Sequence, residues 1–545
     1  MIQRIFPDVT LGAHLSEVDN TINDLGKKDV VNRIWRQDHT VWRPDSTEIA
    51  DRLGWLTVTE MMAGQLQSLT EFAAEIRQAG FRYVVLLGMG GSSLGPETLR
   101  QAFGISKDYP ELIVLDSTLP AVVETVAQAI DIRRTLFIVS SKSGTTVETM
   151  SLYRFFRSHA EQALGTGPAG RSFIAITDPA TPLARLAGEA GFRKAFLNPS
   201  DIGGRYSVLS YFGLVPAVLA GIDIAALLDT AGRMREDCAA SKALHENHGF
   251  RLGAIMGTLA QKGLDKLTFV TSPSIAGFGL WAEQLIAEST GKDGKGIIPV
   301  AGEPLLGPSN YGDDRLFVYL RLKQDDNSVT DAALEQIRTS GHPVVTLELR
   351  DRHALGAEFF RWEFATSVAG AVLGIHPFDQ PNVQEAKEKT GRLLEEYRNS
   401  GRLPGIETGG SLKELLSGAG AGNYLAILAY VPQIPDTELA FLELRRKLMK
   451  CRIATTVGYG PRYLHSTGQL HKGGAPTGLF LQIALGHKRD FPVTGQPYSF
   501  GVLTDAEALG DFQALRSRGR KVIRIDAGAE VALAIRKLAG EVGTL

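Results

Sequence analysis

Apolar positions follow two different periods along the chain. Residues 1–78 carry Leu, Ile and Trp at helical spacing, as in IADRLGWLTV, and show little strand propensity. From Arg82 onward, short apolar runs alternate with helical stretches. Apolar runs that are buried on both faces and separated by helices are typical of strands in a parallel sheet. The pattern therefore predicts an α/β fold with mainly parallel sheets behind a helical N-terminal segment.

The predicted strands fall into three series. The strands in chain order are RYVVLLG, ELIVLD, RTLFIVSS and FIAITD, then KLTFVTS, LFVYLRL and PVVTLEL, then NYLAILAYV, RIATTVGYG, SFGVLTD and KVIRIDA. We interpret them as two αβα domains with extensions. The predicted units are a helical segment (1–78), a first αβα domain (79–235), a second αβα domain (236–475) and a C-terminal αβ extension (476–545). The Gly- and Ser-rich stretch at 407–423 is predicted to be a linker or a mobile loop.

Composition narrows the class of protein further. The 545 residues carry 58 Lys plus Arg against 60 Asp plus Glu, so no long-range field attracts nucleic acid or an anionic membrane. The least charged stretch, 206–222, is shorter than a membrane helix and contains Pro216. Two cysteines, Cys238 and Cys451, cannot build a disulfide framework. We expect a cytoplasmic protein that captures any anionic ligand locally.

A glycine-rich loop, GMGGSSLG, connects the first predicted strand to a helix whose first turn holds Pro96. Glycines let the backbone approach a ligand closely, and the helix N-terminus offers unpaired N–H groups to an anion. The loop fits an anion site or an ordinary tight turn. A dinucleotide site is a third interpretation, with Asp116 as the ribose-binding acid, but Ser93 stands where that motif needs glycine.

A second loop, in FIVSSKSGTTVETM, crowds hydroxyl groups around Lys142 between a strand and a helix. The hydroxyls belong to Ser140, Ser141, Ser143, Thr145 and Thr146. Small donors at a helix N-terminus can satisfy the three acceptor oxygens of a phosphate monoester. Thr145 and Glu148 also fit a capping box, which would explain only part of this composition. The loop predicts phosphate binding, and neither loop matches a Walker A motif.

Three further residues are candidates for chemistry. Glu288 ends an apolar helical run directly before Ser289, so its carboxylate could face a ligand or simply be solvated at a helix end. Lys387 and His465, each taken alone, are more typical of structural or solvated positions. The sequence HENH at 245–248 lacks a third nearby ligand and does not predict a metal site.

Five motifs together resemble the signatures of the phosphoglucose isomerase family. They are GMGGSSLG, SKSGTTVET, GGRYSVLS, ESTGKDGKG and FDQPNVQEAK, and the resemblance spans about residues 80 to 475. It implies two sugar-isomerase αβα domains and the interconversion of glucose 6-phosphate and fructose 6-phosphate through an enediolate. It also implies that no metal or organic cofactor takes part, and that the enzyme is a homodimer whose histidine comes from the neighbouring subunit.

The resemblance assigns roles residue by residue. Glu288 matches the base that moves a proton between C2 and C1, and Arg205 of GGRYS matches the arginine that faces the enediolate charge. Lys387 and His465 match the pair that assists ring opening. The implied substrate and phosphate contacts are Gly91, Ser92, Ser141, Lys142, Ser143, Thr145, Thr146 and Gln284.

The order of the motifs departs from most family members. The histidine motif, HSTGQ, follows FDQPNVQEAK here instead of preceding it. This order resembles the isomerase half of bifunctional transaldolase–phosphoglucose isomerase proteins. A transaldolase barrel takes roughly 250 residues, and only about 80 precede the first predicted sheet domain. We therefore expect no transaldolase activity from this chain.

Competing functions leave parts of the pattern unused. A nicotinamide-dependent dehydrogenase would use the glycine loop and Asp116, but not the hydroxyl-rich loop or Glu288. A non-catalytic sugar-phosphate sensor would have little need for Glu288, Lys387 and His465 together. Isomerases that act on mannose 6-phosphate as well, or on other phosphosugars, remain open.

Overall fold

The computed structural model describes residues 9–405 and 410–542. The strands in that part of the chain are β1 (Val9–Thr10), β2 (Tyr83–Gly88), β3 (Glu111–Leu115), β4 (Thr135–Ser140), β5 (Phe173–Thr177), β6 (Lys194–Leu197), β7 (Lys266–Thr271), β8 (Ile298–Val300), β9 (Arg315–Leu322), β10 (Val344–Leu349), β11 (Tyr424–Tyr430), β12 (Ala454–Tyr459), β13 (Gly478–Ala484) and β14 (Lys521–Asp526). They form three sheets among the described residues. All strand pairs except one are parallel, which confirms the predicted α/β fold class.

Helices connect and cover these sheets. They are α1 (Leu15–Lys27), α2 (Val30–Trp35), α3 (Val58–Ala63), α4 (Leu66–Gln78), α5 (Leu94–Phe103), α6 (Pro120–Ala129), α7 (Val147–Leu164), α8 (Thr166–Ala169), α9 (Pro182–Glu189), α10 (Tyr211–Leu219), α11 (Ile224–Asp237), α12 (His248–Gln261), α13 (Phe278–Thr290), α14 (Ser328–Thr339), α15 (Leu355–Leu373), α16 (Pro381–Ser400), α17 (Leu412–Ser417), α18 (Pro435–Met449), α19 (Gly468–Gly473), α20 (Phe500–Ser517) and α21 (Val531–Val542). A helix suited to spanning a membrane is not found among the described residues.

The first sheet brings the two predicted anion loops together. Its strand order is β3-β2-β4-β5-β6, so the chain leaves β2 for β3 on one side and returns to β4 on the other. In such sheets a crevice opens at the carboxyl ends of the strands where the direction of winding changes. Gly88, the last residue of β2, is in register with Ser140, the last residue of β4. The glycine-rich loop and the hydroxyl-rich loop therefore start side by side.

The second sheet corrects the expectation of a wholly helical N-terminal segment. Its order is β1-β10-β9-β7-β8, and β1 runs antiparallel to β10 with Val9 opposite Val345. Val9 is buried, so this two-residue strand covers an edge that the sheet would otherwise expose. Residues 1–8 of the segment lie outside the described residues. The helices α1–α4 account for most of the rest, as predicted.

The third sheet takes strands from both sides of residue 475. Its order is β12-β11-β13-β14, with β13 at an interior position. β13 is not among the predicted strands, and the predicted strand in SFGVLTD is wrong because these residues begin α20. Ser499 caps this helix by accepting a hydrogen bond from the Val502 amide, and the helix is apolar on several sides, like a buried strand. The domain bounds given above stay a prediction.

The predicted linker is wrong where the structure describes it. Residues 406–409 lie outside the described residues, but α17 follows directly and begins with a capping box between Ser411 and Glu414. Leu412, Leu415 and Leu416 on this helix are buried in the core of the third sheet. The glycines on both sides of α17 led to the prediction of a linker. The three leucines of this helix nevertheless belong to the hydrophobic core.

A buried ion pair joins the second and third sheets. Arg315 on β9 and Glu303 lie 2.6 Å apart, and their side chains are 0% and 1% exposed. The same carboxylate accepts hydrogen bonds from the amide and the hydroxyl of Thr455 on β12, both at 2.9 Å. Because Glu303 contacts both sheets, it fixes their relative position.

We predict that Glu303→Ala lowers the free energy of unfolding by about 3–5 kcal/mol, because it leaves the Arg315 charge buried without its partner. Glu335→Ala is the matched control, since Glu335 forms an exposed pair with Arg338; its effect should stay within about 0.5 kcal/mol. Chemical denaturation of both variants measures the difference. Equal effects would show that the Glu303 pair does not hold the sheets together.

Candidate active site

A cavity of about 480 Å³ lies where the N-terminus of α7, the first turns of α16 and the 3₁₀ turn Arg462–His465 meet. Among its walls are five of the residues singled out from the sequence: Ser143, Thr145, Thr146, Lys387 and His465. Three separate motifs thus converge on one volume. Hydroxyls lie on one side of it, and a lysine and a histidine complete the wall.

The hydroxyl-rich loop is held by hydrogen bonds among its own residues. The Ser141 hydroxyl lies 2.9 Å from that of Thr146 and accepts a bond from the Gly144 amide at 3.1 Å. Ser143 and Thr145 pair through their hydroxyls at 3.0 Å. Gly144 has φ +68°, a conformation that favours glycine. The loop therefore presents Ser143, Thr145 and Thr146 to the cavity, while Ser141 is buried behind them.

The capping-box interpretation of this loop is wrong. The helix α7 begins at Val147 with Thr146 at the N-cap position, and that side chain makes no capping hydrogen bond within the described chain. Glu148 turns to His465 instead. The first N–H groups of an 18-residue helix and three nearby hydroxyls therefore remain available to an anionic ligand.

Lys142 is turned away from this cavity. Its ammonium group forms an ion pair with Asp178 and donates to the Ser200 carbonyl at 2.8 Å. Burial raises the pKa of Asp178, and Lys142 partly opposes this shift. The structure therefore does not place Lys142 with the other candidate phosphate contacts.

His465 is joined to Glu148 by a hydrogen bond of 2.5 Å between Nε2 and Oε1. Glu148 is buried at 4% exposure, and burial alone would raise its pKa. The charge and the hydrogen bond of His465 more than offset burial and lower the pKa of Glu148 to about 2. Glu148 is therefore an ionised partner that orients the imidazole.

Glu288 and Gln284 lie one helical turn apart on α13 and connect to the same histidine. The Gln284 amide donates to Glu288 Oε2 at 3.0 Å and to the His465 carbonyl at 2.9 Å. Glu288 is 6% exposed, and Arg205 Nη1 lies 3.7 Å from its Oε1. Neither Glu288 nor Arg205 lines the 480 Å³ cavity. Gln284 connects Glu288 to the side of the cavity that His465 forms, through its two hydrogen bonds.

Arg205 ties three of the sequence motifs together. Its Nε donates to Ser289 Oγ at 2.8 Å, and Nη1 donates to Gln380 Oε1 at 2.6 Å. Nη2 donates to the carbonyls of Pro377 and Asp379, at 2.7 and 3.0 Å. The guanidinium thus fixes the start of α16, which carries Lys387, against the end of α13, which carries Glu288.

The glycine loop is packed too tightly to admit side chains. A Cβ atom on Gly91 would lie 1.9 Å from the Gly204 carbonyl oxygen, and one on Gly90 would lie 2.7 Å from the His465 carbonyl oxygen. Gly91 and Ser92 are both buried and do not line the cavity. The glycines let this loop contact Gly204 of the GGRYS motif directly. They also let it contact the 3₁₀ turn Arg462–His465, which we call the histidine turn.

An ion pair and a hydrogen bond, both within the chain, hold the histidine turn in place. Arg462 binds Asp116 with two hydrogen bonds of 2.8 and 2.7 Å, and the Tyr463 hydroxyl donates to Asp511 at 2.7 Å. Asp116 is 2% exposed, so its carboxylate is engaged by Arg462 and is not placed as a ribose-binding acid. Within this chain His465 reaches Glu148, while the expectation that a neighbouring subunit supplies the histidine stays a prediction.

Sequence reasoning missed two residues of this cavity. Glu148 was considered only as a capping residue, and Glu507 on α20 was not considered. A signal for Glu507 does exist, because it and Asp511 lie one turn apart on an otherwise mostly apolar, buried helix. Carboxylates at such positions need a polar partner.

The parallel sheets and the hydroxyl-rich helix N-terminus agree with the sugar-isomerase resemblance of the motifs. A family model described as phosphoglucose isomerase matches residues 38–295. The chain thus carries a region similar to phosphoglucose isomerases over these residues. The family resemblance of its motifs is thereby confirmed.

Curated relatives carry the same family name. The glucose-6-phosphate isomerase of Staphylococcus saprophyticus is 29% identical over 412 residues, which are 68% of this chain and 91% of that protein. The glucose-6-phosphate isomerase of Staphylococcus aureus strain NCTC 8325 is 29% identical over 390 residues, 63% of this chain and 87% of that protein.

Solved structures are similar in fold. A hypothetical protein of Thermus thermophilus matches with a TM-score of 0.58 and 25% identity, over 72% of this chain and 100% of that one. A glucose-6-phosphate isomerase of Chlamydia trachomatis matches with a TM-score of 0.57 and 17% identity, over 70% of this chain and 86% of that one.

We predict that Gly91→Ala destabilises the protein by about 1–3 kcal/mol or more, because the added methyl overlaps the Gly204 carbonyl. Gly204→Ala is the matched control on the other side of the same contact. A Cβ there meets no described atom within 4 Å, so its effect should be small. Thermal unfolding of both variants checks the prediction, and an unchanged melting temperature for Gly91→Ala would contradict it.

Proposed function

We propose that this protein is an aldose–ketose isomerase that interconverts glucose 6-phosphate and fructose 6-phosphate. One observation carries the proposal: the hydroxyl-rich N-terminus of α7, Lys387 and His465 line one cavity. Gln284 connects this cavity to the buried Glu288, because its amide donates hydrogen bonds to both Glu288 and the His465 carbonyl. The match to the phosphoglucose isomerase family model and the names of the curated relatives support the same reaction.

The phosphate would bind at the N-terminus of α7. Free N–H groups there, the helix dipole and the hydroxyls of Ser143, Thr145 and Thr146 suit three phosphate oxygens. Ser141 would not touch the phosphate itself but would hold the loop in place through its hydrogen bonds with Thr146 and Gly144. With the phosphate held at this end, the sugar extends toward Lys387 and His465.

Ring opening needs one group to protonate the ring oxygen and one to take the hydroxyl proton. His465 and Lys387 line the same wall and can divide this work between them. Glu148 would keep the imidazole in place during the transfer, as an ionised carboxylate hydrogen-bonded to Nε2.

Isomerisation of the open chain needs a base beside C1 and C2 and a positive group near the developing enediolate. Glu288 would carry the proton between the two carbons, and Gln284 holds one of its carboxylate oxygens. Arg205 is 3.7 Å from the other oxygen and carries a permanent charge, so it can stabilise the enediolate without reorganising.

We further propose that each chain builds its own site. Glu148, Glu288, Lys387 and His465 all belong to one chain, and the anchors of the histidine turn are internal to it. A homodimer would then support the fold without supplying a catalytic residue.

A cytoplasmic location fits the two free cysteines. The likeness of the motif order to bifunctional transaldolase–phosphoglucose isomerase proteins stays a prediction.

We predict that Glu288→Gln lowers kcat by at least about 100-fold, because the amide cannot accept the C2 proton. Glu283→Gln, on the same helix, is the matched control, because its carboxylate accepts only a bond from the Ala301 amide within the described chain; its kcat should stay near wild type. A coupled assay from fructose 6-phosphate to glucose 6-phosphate gives the measurement, with mannose 6-phosphate as a second substrate. Wild-type protein without turnover, or full activity of Glu288→Gln, would overturn the assignment.

A mixing experiment tests the single-chain site. We expect Glu288→Gln and His465→Ala, co-expressed with different tags and purified as hybrids where these form, to show no more activity than the two parents. Sites shared between two subunits would instead restore about half of the wild-type activity in the purified hybrid dimers, because one of their two sites would carry neither substitution. Such recovery would contradict the proposal.

A further inference from the structure

Glu507 belongs to α20, in the C-terminal part of the chain for which the sequence analysis offered no function. Its side chain lines the 480 Å³ cavity, although the residue is only 2% exposed. The helix is fixed against α16, which carries Lys387, because a Cβ on Gly510 would lie 2.9 Å from Thr390 Oγ1. Leu393, Ala506 and Leu509 form a small core between the two helices. Glu507 therefore reaches the site from a rigid support.

The two carboxylate oxygens of Glu507 have different partners. Oε2 accepts a hydrogen bond from Thr118 Oγ1 at 3.0 Å, and the Thr118 hydroxyl lies 2.9 Å from that of Thr504. Oε1 is buried and receives no hydrogen bond from any described donor. Glu148 lines the same cavity and is close enough for its charge to act on the Glu507 carboxyl group.

Two neighbouring buried carboxyl groups cannot both be ionised without a large penalty, so such a pair keeps one proton. Burial, and next the charge of Glu148, raise the pKa of Glu507 well above its usual range. His465 keeps the pKa of Glu148 low. The proton therefore resides on Glu507, and the buried Oε1 becomes a donor instead of an orphaned acceptor.

We infer that Glu507 is a positioning residue of the isomerase site: as a neutral acid it donates a hydrogen bond to Glu148 and so holds that carboxylate against His465. The inference rests on the proposed function for its effect on catalysis. The other titratable groups that face the pair are Lys387 on the cavity side and the phenols of Tyr430 and Tyr498. Without Glu507, Glu148 would keep its charge but lose the group that fixes its other side.

The test compares two substitutions of similar size. Glu507→Gln retains a donor toward Glu148 and an acceptor for Thr118, so kcat, KM and the pH–rate profile should stay within about threefold of wild type. Glu507→Leu retains neither, so kcat should fall at least about tenfold, while KM changes little because the phosphate contacts are untouched. Asp505→Asn is the control on the same helix, since Asp505 contacts His487 outside the cavity.

Two kinetic outcomes would overturn the inference. An equal loss in Glu507→Gln and Glu507→Leu would mean that Glu507 acts as an ionised group. Wild-type kinetics and an unchanged pH–rate profile in Glu507→Leu would mean that the contact has no effect on His465.

A second readout does not depend on turnover. A raised folded-state pKa means that Glu507 takes up a proton on folding, so wild-type stability should fall as pH rises above about 4.5, the usual value for Glu. Glu507→Gln should lack this decrease, and the two pH slopes should differ by one proton. Identical slopes would overturn the inference even if Glu507→Leu fails to fold. Inactive wild-type protein with the expected slope difference would overturn the proposed function alone.

Discussion

The bond between His465 and Glu148 is the contact on which the site depends. It joins residues 317 positions apart, one at the N-terminus of α7 in the first sheet domain and one in a turn that follows β12 of the third sheet. A buried carboxylate without a partner would be unfavourable, so the bond also constrains where the two sheets can lie. The cavity exists because these parts of the chain are held at this distance.

Around this contact, charged pairs accompany apolar packing at the junctions between sheets. Arg462 with Asp116 links the first sheet to the histidine turn, and Arg315 with Glu303 links the second sheet to the third. The Arg315–Glu303 pair is fully buried, whereas Arg462 is partly exposed beside the buried Asp116. Apolar clusters also cross the junctions: one contains Val84 of β2 and Leu316 of β9, and another contains Val300 of β8 and Leu428 of β11. The ion pairs add directional contacts to this apolar packing.

The fold class and the hydroxyl-rich side of the cavity could be predicted from the sequence because their signals are local, whereas Lys387 and His465 were assigned through the family resemblance. The apolar runs of β2 and β4 and the hydroxyl-rich loop need no long-range information. The contact of His465 with Glu148, the orientation of Lys142 and the place of Glu507 depend on distant segments, and a single sequence carries no spacing rule for such contacts. The start of α20 was predicted as a strand because a helix buried on several sides has no polar face to mark its period.

The long separation between Glu148 and His465 has a consequence for biosynthesis. During synthesis the hydroxyl-rich loop leaves the ribosome early. The histidine turn emerges more than 300 residues later, and α20 emerges after it. Closing loops of this length is slow compared with forming the first sheet domain. Nascent chains should therefore hold a folded first domain with an incomplete site until the histidine turn and α20 have emerged, so that activity reports that translation has passed these segments.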